Sequence, residues 1–227
     1  MRKFIIVLLC LIGTPSANAQ IHELGVFAGG SNYIGDVGKT NYVNPDHLSL
    51  GLLYKWNRSI RHAWRVSYTH GKISGNDLKS KAPSRVERGY KFNNSIDELA
   101  LGIEFNFYDF DLHSLDLQIT PYIHTGVAGF KYDENYFDAG VLKSDGDKFG
   151  LAIPMTVGVK TNLLSRLVIG VETGFRYTFT DNLDGSNPKD NRFEANRFGN
   201  LDSKDWYVFT GVTLTYTFGK NPCFCAN

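Results

Sequence analysis

The amino-acid sequence predicts an all-β protein: an eight-stranded antiparallel transmembrane β-barrel of the outer-membrane type, with long external loops and short periplasmic turns. Three observations predict this fold: long runs of alternating residues, connections that alternate between short and long, and aromatic residues near the strand ends. The chain has 227 residues, is 42% hydrophobic and carries a formal net charge of +1. This composition argues against a disordered chain and against a nucleic-acid-binding surface.

The first nineteen residues have the organisation of a secretory signal peptide. Arg2 and Lys3 precede an apolar run at 4–13, and Ala17 and Ala19 provide a small-residue cleavage site. The run is too short for a membrane-spanning helix, which needs about 20 apolar residues. We therefore predict three regions: a cleaved signal peptide (1–19), an outer-membrane β-barrel (20–219) and a periplasmic C-terminal tail (220–227).

The barrel region is built from segments with a period of two. In 98–107, for example, leucine, isoleucine and phenylalanine alternate with Glu98, Ala100, Gly102 and Glu104. Such alternation is typical of a strand with two unlike faces. The predicted strands are 21–32, 47–56, 62–73, 94–108, 116–130, 150–161, 166–179 and 205–219.

The lengths of strands and connections favour a membrane barrel over a soluble sandwich. Sandwich strands usually have about 5–6 residues, whereas strands that cross a bilayer need about 9–11. The predicted connections alternate strictly, with short ones at 57–61, 109–115 and 162–165 and long ones at 33–46, 74–93, 131–149 and 180–204. Outer-membrane barrels have short periplasmic turns and longer external loops, so both termini are predicted to be periplasmic.

The two faces of the predicted strands differ in a way that suits a narrow barrel. One face carries mostly Gly, Ala, Ser and Thr, which fit an eight-stranded lumen. Six charged residues interrupt this face and predict a lumen charge network: Lys55, Arg65, Glu104, Lys160, Glu172 and Arg176. Aromatic residues predict the interfacial girdles: Tyr54, Trp56, Trp64, Phe105, Phe107, Tyr177, Phe179, Trp206, Tyr216 and Phe218.

Signals for catalysis or metal binding are weak. None of the six histidines has the spacing of a metal motif, and no cofactor is predicted. A lipid A-modifying enzyme would need a nucleophile and a base at the outer rim. The sequence contains one candidate pairing for these roles, His70 with Ser74 or Ser67. The acidic segments 145–147 and 181–185 resemble fragments of calcium loops but lack the full spacing, so acidic surface loops are favoured.

The C-terminal tail contains Cys223 and Cys225, whereas the third cysteine, Cys10, lies in the signal peptide. In an oxidising periplasm both tail thiols are expected to be oxidised or protected. A disulfide between them would close a very tight ring, and a strained bond exchanges easily. An internal disulfide and a bond to a partner both remain open.

Several stretches resemble the PorG family of the type IX secretion system of Bacteroidetes. They are GGSNYIGDVG (29–38), SYTHGKISGND (67–77), GIEFNFY (102–108), AIPMTVGVK (152–160) and GFRYTFTDNLD (174–184). The resemblance implies a barrel that holds a periplasmic ring, built from a lipoprotein and its partner (PorK and PorN in that family), and that is not itself the export pore. The machine exports proteins and in some species supports gliding motility, and no catalytic residues carry over.

The leading hypothesis is therefore a non-enzymatic outer-membrane component of a type IX protein secretion system. Its expected partners are outer-membrane lipid and a PorK/PorN-like ring, with Cys223 or Cys225 as a candidate bridge; no nucleic acid and no small-molecule substrate are expected. Two alternatives stay open: a stand-alone barrel for surface adhesion or envelope integrity, and the lipid A-modifying enzyme.

Overall fold

The computed structural model describes residues 21–219 apart from 115 and 165, and in it eight antiparallel strands close into a barrel. Each strand pairs with its neighbours in sequence, and β8 returns to pair with β1. The strands are β1 (Ile21–Ile34), β2 (His47–Asn57), β3 (His62–Asn76), β4 (Lys91–Asn106), β5 (Ile119–Asp138), β6 (Val141–Leu164), β7 (Leu167–Thr178) and β8 (Trp206–Gly219). The predicted signal peptide and the tail with Cys223 and Cys225 lie outside the described residues and stay predictions.

Within residues 21–219, leaving aside 115 and 165, helical structure is confined to the connections. One short helix, α1 (Pro83–Arg88), begins at a proline and ends before Gly89, which has a left-handed φ of 68°. Two 3₁₀ turns occupy Asp77–Lys79 and Asn191–Asn196. No helix among the described residues is long and apolar enough to cross a membrane, and this finding does not bear on strands.

The alternation of each strand produces a barrel that is apolar outside and polar inside. On β3, Trp64, Val66 and Tyr68 are exposed on the outer wall, whereas Arg65 and Ser67 are buried in the lumen. The same inside-out pattern holds for the other strands, whose exposed residues include Leu48, Leu50, Leu52, Leu99, Leu101, Ile103, Val127, Leu151, Val157, Val171, Val212 and Leu214. An outer wall of this kind is satisfied by hydrocarbon rather than by water.

The predicted third long connection, 131–149, is wrong: these residues extend β5 and β6 into a hairpin that protrudes from the barrel. The two strands meet at Ala139 and Gly140, whose φ values are 48° and 81°. Two consecutive positive φ values form the hairpin turn that matches strand twist, and the sequence lacks the usual Asn-Gly or Asp-Gly signal for it. Both faces of the hairpin carry charged residues, so its sequence does not alternate between polar and apolar residues and gives no strand signal.

The hairpin protrudes from one end of the barrel, and three loops lie at the same end: loop 1 (35–46), loop 2 (77–90) and loop 4 (179–205). Together with the hairpin at 131–149 they form what we call the external cap, in keeping with the predicted topology. The opposite end carries the short connections after β2 and β6 and a longer one, 107–118, after β4. Phe110 and Leu112 of that longer connection pack with Ile21 and Val168, so it closes the lower end of the barrel.

The lumen is filled from end to end. Above the lower apolar cluster lies a layer of charged side chains, and above that lies an aromatic cluster: Phe27, Tyr33, Phe92, Phe130, Tyr132, Tyr207 and Phe209. Lys160 Nζ lies 4.9 Å from the Phe110 ring, and the Arg176 guanidinium lies 4.8 Å from the Phe209 ring, so the layers touch. A cavity of about 10 Å³ lies beside Arg65 and Glu172.

Candidate functional site

Glu104 is the centre of the charged layer in the lumen. Its carboxylate lies 2.8 Å from Lys55 Nζ and 2.6 Å from Lys160 Nζ, and Arg65 lies 3.6 Å away. Lys55 of β2 and Arg65 of β3 are register partners. On the other side of Arg65, its register partner on β4 is Gly102, which has no side chain and therefore leaves space for that of Glu104. Three cations therefore share one fully buried carboxylate.

A second carboxylate completes the pairing of Arg65. Both terminal nitrogens of Arg65 donate to Glu172 at 2.7 Å in a bidentate arrangement, and the Tyr122 hydroxyl donates to the same carboxylate at 2.5 Å. Bidentate guanidinium–carboxylate pairs fix geometry as well as charge. Residues from β3, β5 and β7 are thus joined across the lumen.

Arg176 pairs with Glu98, which lies outside the predicted charge network. Its Nε and NH2 donate to Glu98 at 3.1 Å, and the Tyr207 hydroxyl donates to Glu98 at 2.7 Å. A further buried carboxylate, Glu23, accepts from Asn57 at 2.9 Å and from Thr215 at 2.6 Å. The signal for Glu98 was available, because it shares the inward parity of Glu104 on β4.

The lumen network contains equal numbers of the two charges. The six sequence-predicted residues alone are four cations and two carboxylates; Glu23 and Glu98 bring the set to four of each. All eight side chains are buried, and burying a charge is tolerable only when it is paired and hydrogen-bonded. The arrangement is that of a structural filling.

A different set of polar contacts holds the external cap to the barrel. The Tyr33 hydroxyl lies 2.6 Å from Asp184 Oδ2 and 2.5 Å from Asp205 Oδ1. The backbone N–H of Val37 donates to Asp184 at 3.0 Å, and that of Leu183 donates to Asp205 at 2.8 Å. Loops 1 and 4 are thereby tied to the top of β1.

Three acids of the cap have raised pKa values, and burial is the largest cause in each case. The pKa of Asp205 lies well above its ordinary range because of burial and because of the neighbouring Asp184. Burial likewise raises the pKa of Asp36, and it raises the pKa of Asp181 to about 6. The Tyr33 hydroxyl has one proton and can donate it to one of the two carboxyl groups. A protonated Asp205 would donate to the Tyr33 oxygen while Tyr33 donates to Asp184, and this arrangement explains both short contacts.

His70 does not form the pairing with Ser67 or Ser74 that a lipid A-modifying enzyme would need. His70 lies on the outer wall, where its Nδ1 is 2.8 Å from Asp97, whereas Ser67 points into the lumen. The Ser74 hydroxyl instead lies 2.7 Å from Nε2 of His47. Among the residues that the structure describes, His70 therefore hydrogen-bonds to a carboxylate and to no serine.

The acidic segments do not assemble into a metal centre. Asp147 pairs with Lys131 at 2.5 Å and Asp145 lies 3.5 Å from Arg192, on the protruding hairpin. Asp181 and Asp184, expected on the surface, are buried in the cap. In the part of the chain that the structure describes, no group of three or more histidine, cysteine or acidic residues could hold a metal ion.

The outer wall determines where the barrel resides. Aromatic rings gather at both ends of the apolar band: His22 stacks with Tyr54 and Phe218 near one end, and Trp206 contacts Tyr177 near the other. An even-stranded antiparallel barrel with an apolar exterior and aromatic girdles is the bacterial outer-membrane architecture. The protein is a bacterial outer-membrane β-barrel.

Comparison with known families assigns the chain. It matches the family described as "Domain of unknown function (DUF6089)" over residues 2–227. The chain belongs to the DUF6089 family. No curated protein matches this DUF6089 chain.

Solved structures similar to this DUF6089 protein are small outer-membrane barrels. The attachment invasion locus protein Ail of Yersinia pestis, solved with the heparin analogue sucrose octasulfate, is 10% identical with a TM-score of 0.48, covering 88% of this chain and 99% of Ail. A major outer membrane protein of Thermus thermophilus is 12% identical with a TM-score of 0.47, covering 88% and 100%. The N-terminal barrel of Pseudomonas aeruginosa OprF is 9% identical with a TM-score of 0.45, covering 88% and 98%. These likenesses carry no information on function.

Proposed function

We propose that this DUF6089 barrel is a non-enzymatic outer-membrane component of a type IX protein secretion system, where it anchors a periplasmic PorK/PorN-like ring. The observation that carries the proposal is the packing of the lumen, because buried charged and aromatic side chains occupy the interior through which a protein would have to pass. Such a barrel can serve as a rigid, membrane-fixed support. The resemblance to the PorG family names the machine that it would support.

The periplasmic end offers the surface for such an anchor. The connection 107–118 covers the lower end of the lumen, and its Asp109 pairs with Arg61 at 2.5 Å. Beside it, Leu112, Arg166 and Phe218 line a cleft of about 180 Å³ next to Gly219, where the last strand ends. The tail with Cys223 and Cys225 follows directly, so turns and tail would contact the same partner.

Affinity purification tests the ring contact. The tagged full-length barrel is solubilised in a mild detergent without reductant, and co-purifying proteins are identified by mass spectrometry. We expect a lipoprotein and a second ring protein in stoichiometric amounts. A barrel that purifies alone from cells that contain the ring proteins contradicts the anchor.

Substitution of the tail cysteines tests the bridge separately. If Cys223 or Cys225 bonds a partner, a non-reducing gel shows an adduct of partner size that is lost in Cys223→Ser or Cys225→Ser. The matched control is Phe224→Ser, which changes the tail between the two cysteines and keeps both thiols. An adduct that survives both cysteine substitutions, or the absence of any adduct, rejects the covalent bridge but leaves the ring contact to the purification.

Surface adhesion or envelope integrity is the second candidate, and the external cap is the observation that favours it. The hairpin at 131–149 protrudes and is braced by loop 4, with Tyr136 and Phe193 stacked at 3.9 Å. Deletion of the gene separates the two proposals. Loss of protein export favours the secretion component, whereas normal export with altered adhesion or detergent sensitivity favours the surface role.

A further inference from the structure

Loop 1 does not stay on top of the barrel but folds back over its outer wall. Asn32 faces outward on β1 and is nevertheless buried. Its Nδ2 donates to the carbonyls of Asn41 and Tyr42 at 3.1 and 3.3 Å, and its Oδ1 accepts from the N–H of Asn44 at 3.2 Å. Residues 41–44 therefore form a strap that shields this part of the wall from its surroundings.

The shielding extends to the neighbouring strand. Val208 of β8 is the register partner of Asn32 and faces outward, because Tyr207 and Phe209 on either side of it point into the aromatic cluster. Val208 is 0% exposed, whereas Val212, four residues further along the same wall, is 41% exposed. The strap thus produces a step on an otherwise smooth lipid-facing surface.

A cleft of about 810 Å³ lies where this step meets the wall of β6 and β7. Its floor is apolar and is formed by Met155, Val157, Phe175 and Trp206, and Tyr42 of the strap forms one side. The volume falls within the range of about 300–1,000 Å³ that is usual for small-molecule sites. The cleft is distinct from the lumen, which is closed.

The lower end of the cleft opens into the bilayer. Val157 is 56% exposed and Met155 is 39% exposed, and both belong to the apolar band of the outer wall. A ligand that fills this end must therefore tolerate hydrocarbon, and it reaches the cleft laterally from the membrane. An acyl chain meets both conditions.

The upper end of the cleft is cationic. Lys204 lines this end, and it has no hydrogen bond or ion pair with any residue that the structure describes. Its interaction with Asp181 is a longer-range electrostatic attraction. Arg85 donates to the carbonyl of Gly38 at 2.9 Å, and its nearest carboxylate, Asp36, is 3.9 Å away. Asp36 also accepts from the N–H of Asn200 at 3.0 Å, so the one acid lining the cleft is already engaged.

We propose that this cleft binds a phosphorylated glycolipid of the outer leaflet. One acyl chain lies on Met155, Val157 and Phe175, and a phosphate of the headgroup lies between Lys204 and Arg85. The apolar floor of the cleft lies towards the centre of the membrane, and the cations lie at the level of the external loops. Acyl chains and phosphates of an outer-leaflet lipid are arranged in the same order. Lipid binding here is independent of the proposed role in secretion.

Native mass spectrometry of the full-length barrel in detergent, titrated with bisphosphorylated lipid A, tests the site. We expect one molecule to be retained by the wild type. Lys204→Gln should weaken binding about tenfold, as expected for the loss of one charge-assisted contact. Val157→Trp should abolish retention by filling the floor while leaving both cations in place.

The matched control is Lys72→Gln, an exposed lysine of β3 that does not line the cleft. Its affinity should equal that of the wild type, and dephosphorylated lipid A should bind weakly to all variants. Equal weakening by Lys72→Gln would show diffuse electrostatic attraction and overturn the site. Unchanged binding in Lys204→Gln, or equal binding of dephosphorylated lipid, would overturn the headgroup assignment. Heat-dependent gel mobility confirms that each variant is folded.

Discussion

The lumen network and the external cap both bury carboxylates, but they neutralise them by different means. In the lumen, Glu104 and Glu172 are held by lysine and arginine at 2.6–2.9 Å. In the cap, Asp184 and Asp205 are held by a phenol and by backbone N–H groups. The lumen charges cancel one another, whereas these two aspartates of the cap lie together and share the hydroxyl of Tyr33.

This difference teaches which region can respond to its surroundings. Removing one member of a balanced ionic layer leaves an unpaired charge that nothing nearby can neutralise. A cluster of acids with raised pKa values instead changes its stability over an ordinary range of pH. The lumen network should therefore act as a fixed structural filling, and the cap as a part of variable stability.

Neutralising Glu104 should have the largest effect. Glu104→Gln leaves Lys55 and Lys160 facing each other beside Arg65 without their shared carboxylate. We expect the free energy of unfolding to fall by about 3–5 kcal/mol, the usual result of breaking a buried ion pair. Urea unfolding in lipid vesicles, followed by heat-dependent gel mobility, measures this change.

Two further variants decide whether charge balance is the cause. Glu87→Gln removes an exposed carboxylate of α1 and should change stability by less than about 0.5 kcal/mol. The double variant Glu104→Gln with Lys160→Met restores an equal count of lumen charges and should recover part of the loss. If the double variant is no more stable than the single one, packing rather than charge balance explains the effect.

The cap should loosen as the pH rises. The folded-state pKa of Asp181 is about 6, above the ordinary value of 3.8. Its contribution to stability is therefore fully present below about pH 4 and is lost as the pH rises through 6. The raised pKa of Asp205 acts in the same direction. Hydrogen exchange of loop 4, corrected for intrinsic rates, should be several-fold faster at about pH 7.5 than at about pH 5.

Asp181→Asn provides the matched control, because an amide keeps the size of the side chain and does not titrate. Its exchange in loop 4 should depend less on pH than that of the wild type. Amides of the lumen-lining strands should show no such dependence in either protein. A wild-type loop 4 that exchanges equally at both pH values would remove the distinction between the two regions.

The sequence predicted the barrel well because the period of two and the lengths of the strands are local signals. It placed Lys55, Arg65, Glu104, Lys160, Glu172 and Arg176 on the inward face, and the structure places them in the lumen. Their partners were harder to predict, because pairing across a barrel depends on the register of strands that are distant in sequence. Arg176 and Glu98 are 78 residues apart.

The external cap was largely invisible to sequence reasoning. Its contacts join Tyr33 to residues 151 and 172 positions away, and no periodic pattern reports such distances. The strap over Asn32 is held by a side-chain amide bonded to loop backbone, which the composition of loop 1 does not reveal. The hairpin was missed because its turn uses Ala139 at a positive φ, where glycine or asparagine is expected.

That turn supplies the smallest predicted effect and tests whether the cap unfolds separately from the barrel. Ala139 adopts a left-handed φ of 48°, which costs a residue with a Cβ about 1–2 kcal/mol. Ala139→Gly removes this cost but increases the freedom of the unfolded chain, so we expect a net gain of up to about 1 kcal/mol.

The gain should appear as about fivefold slower hydrogen exchange near the hairpin tip, with the urea midpoint of the whole barrel unchanged. Gly140→Ala, at a φ of 81°, is the matched variant and should speed exchange at the same amides. If either substitution shifts the urea midpoint, the hairpin and the barrel unfold as one unit. The cap would then share the stability of the lumen network, and the contrast between the two regions would be one of pH response alone.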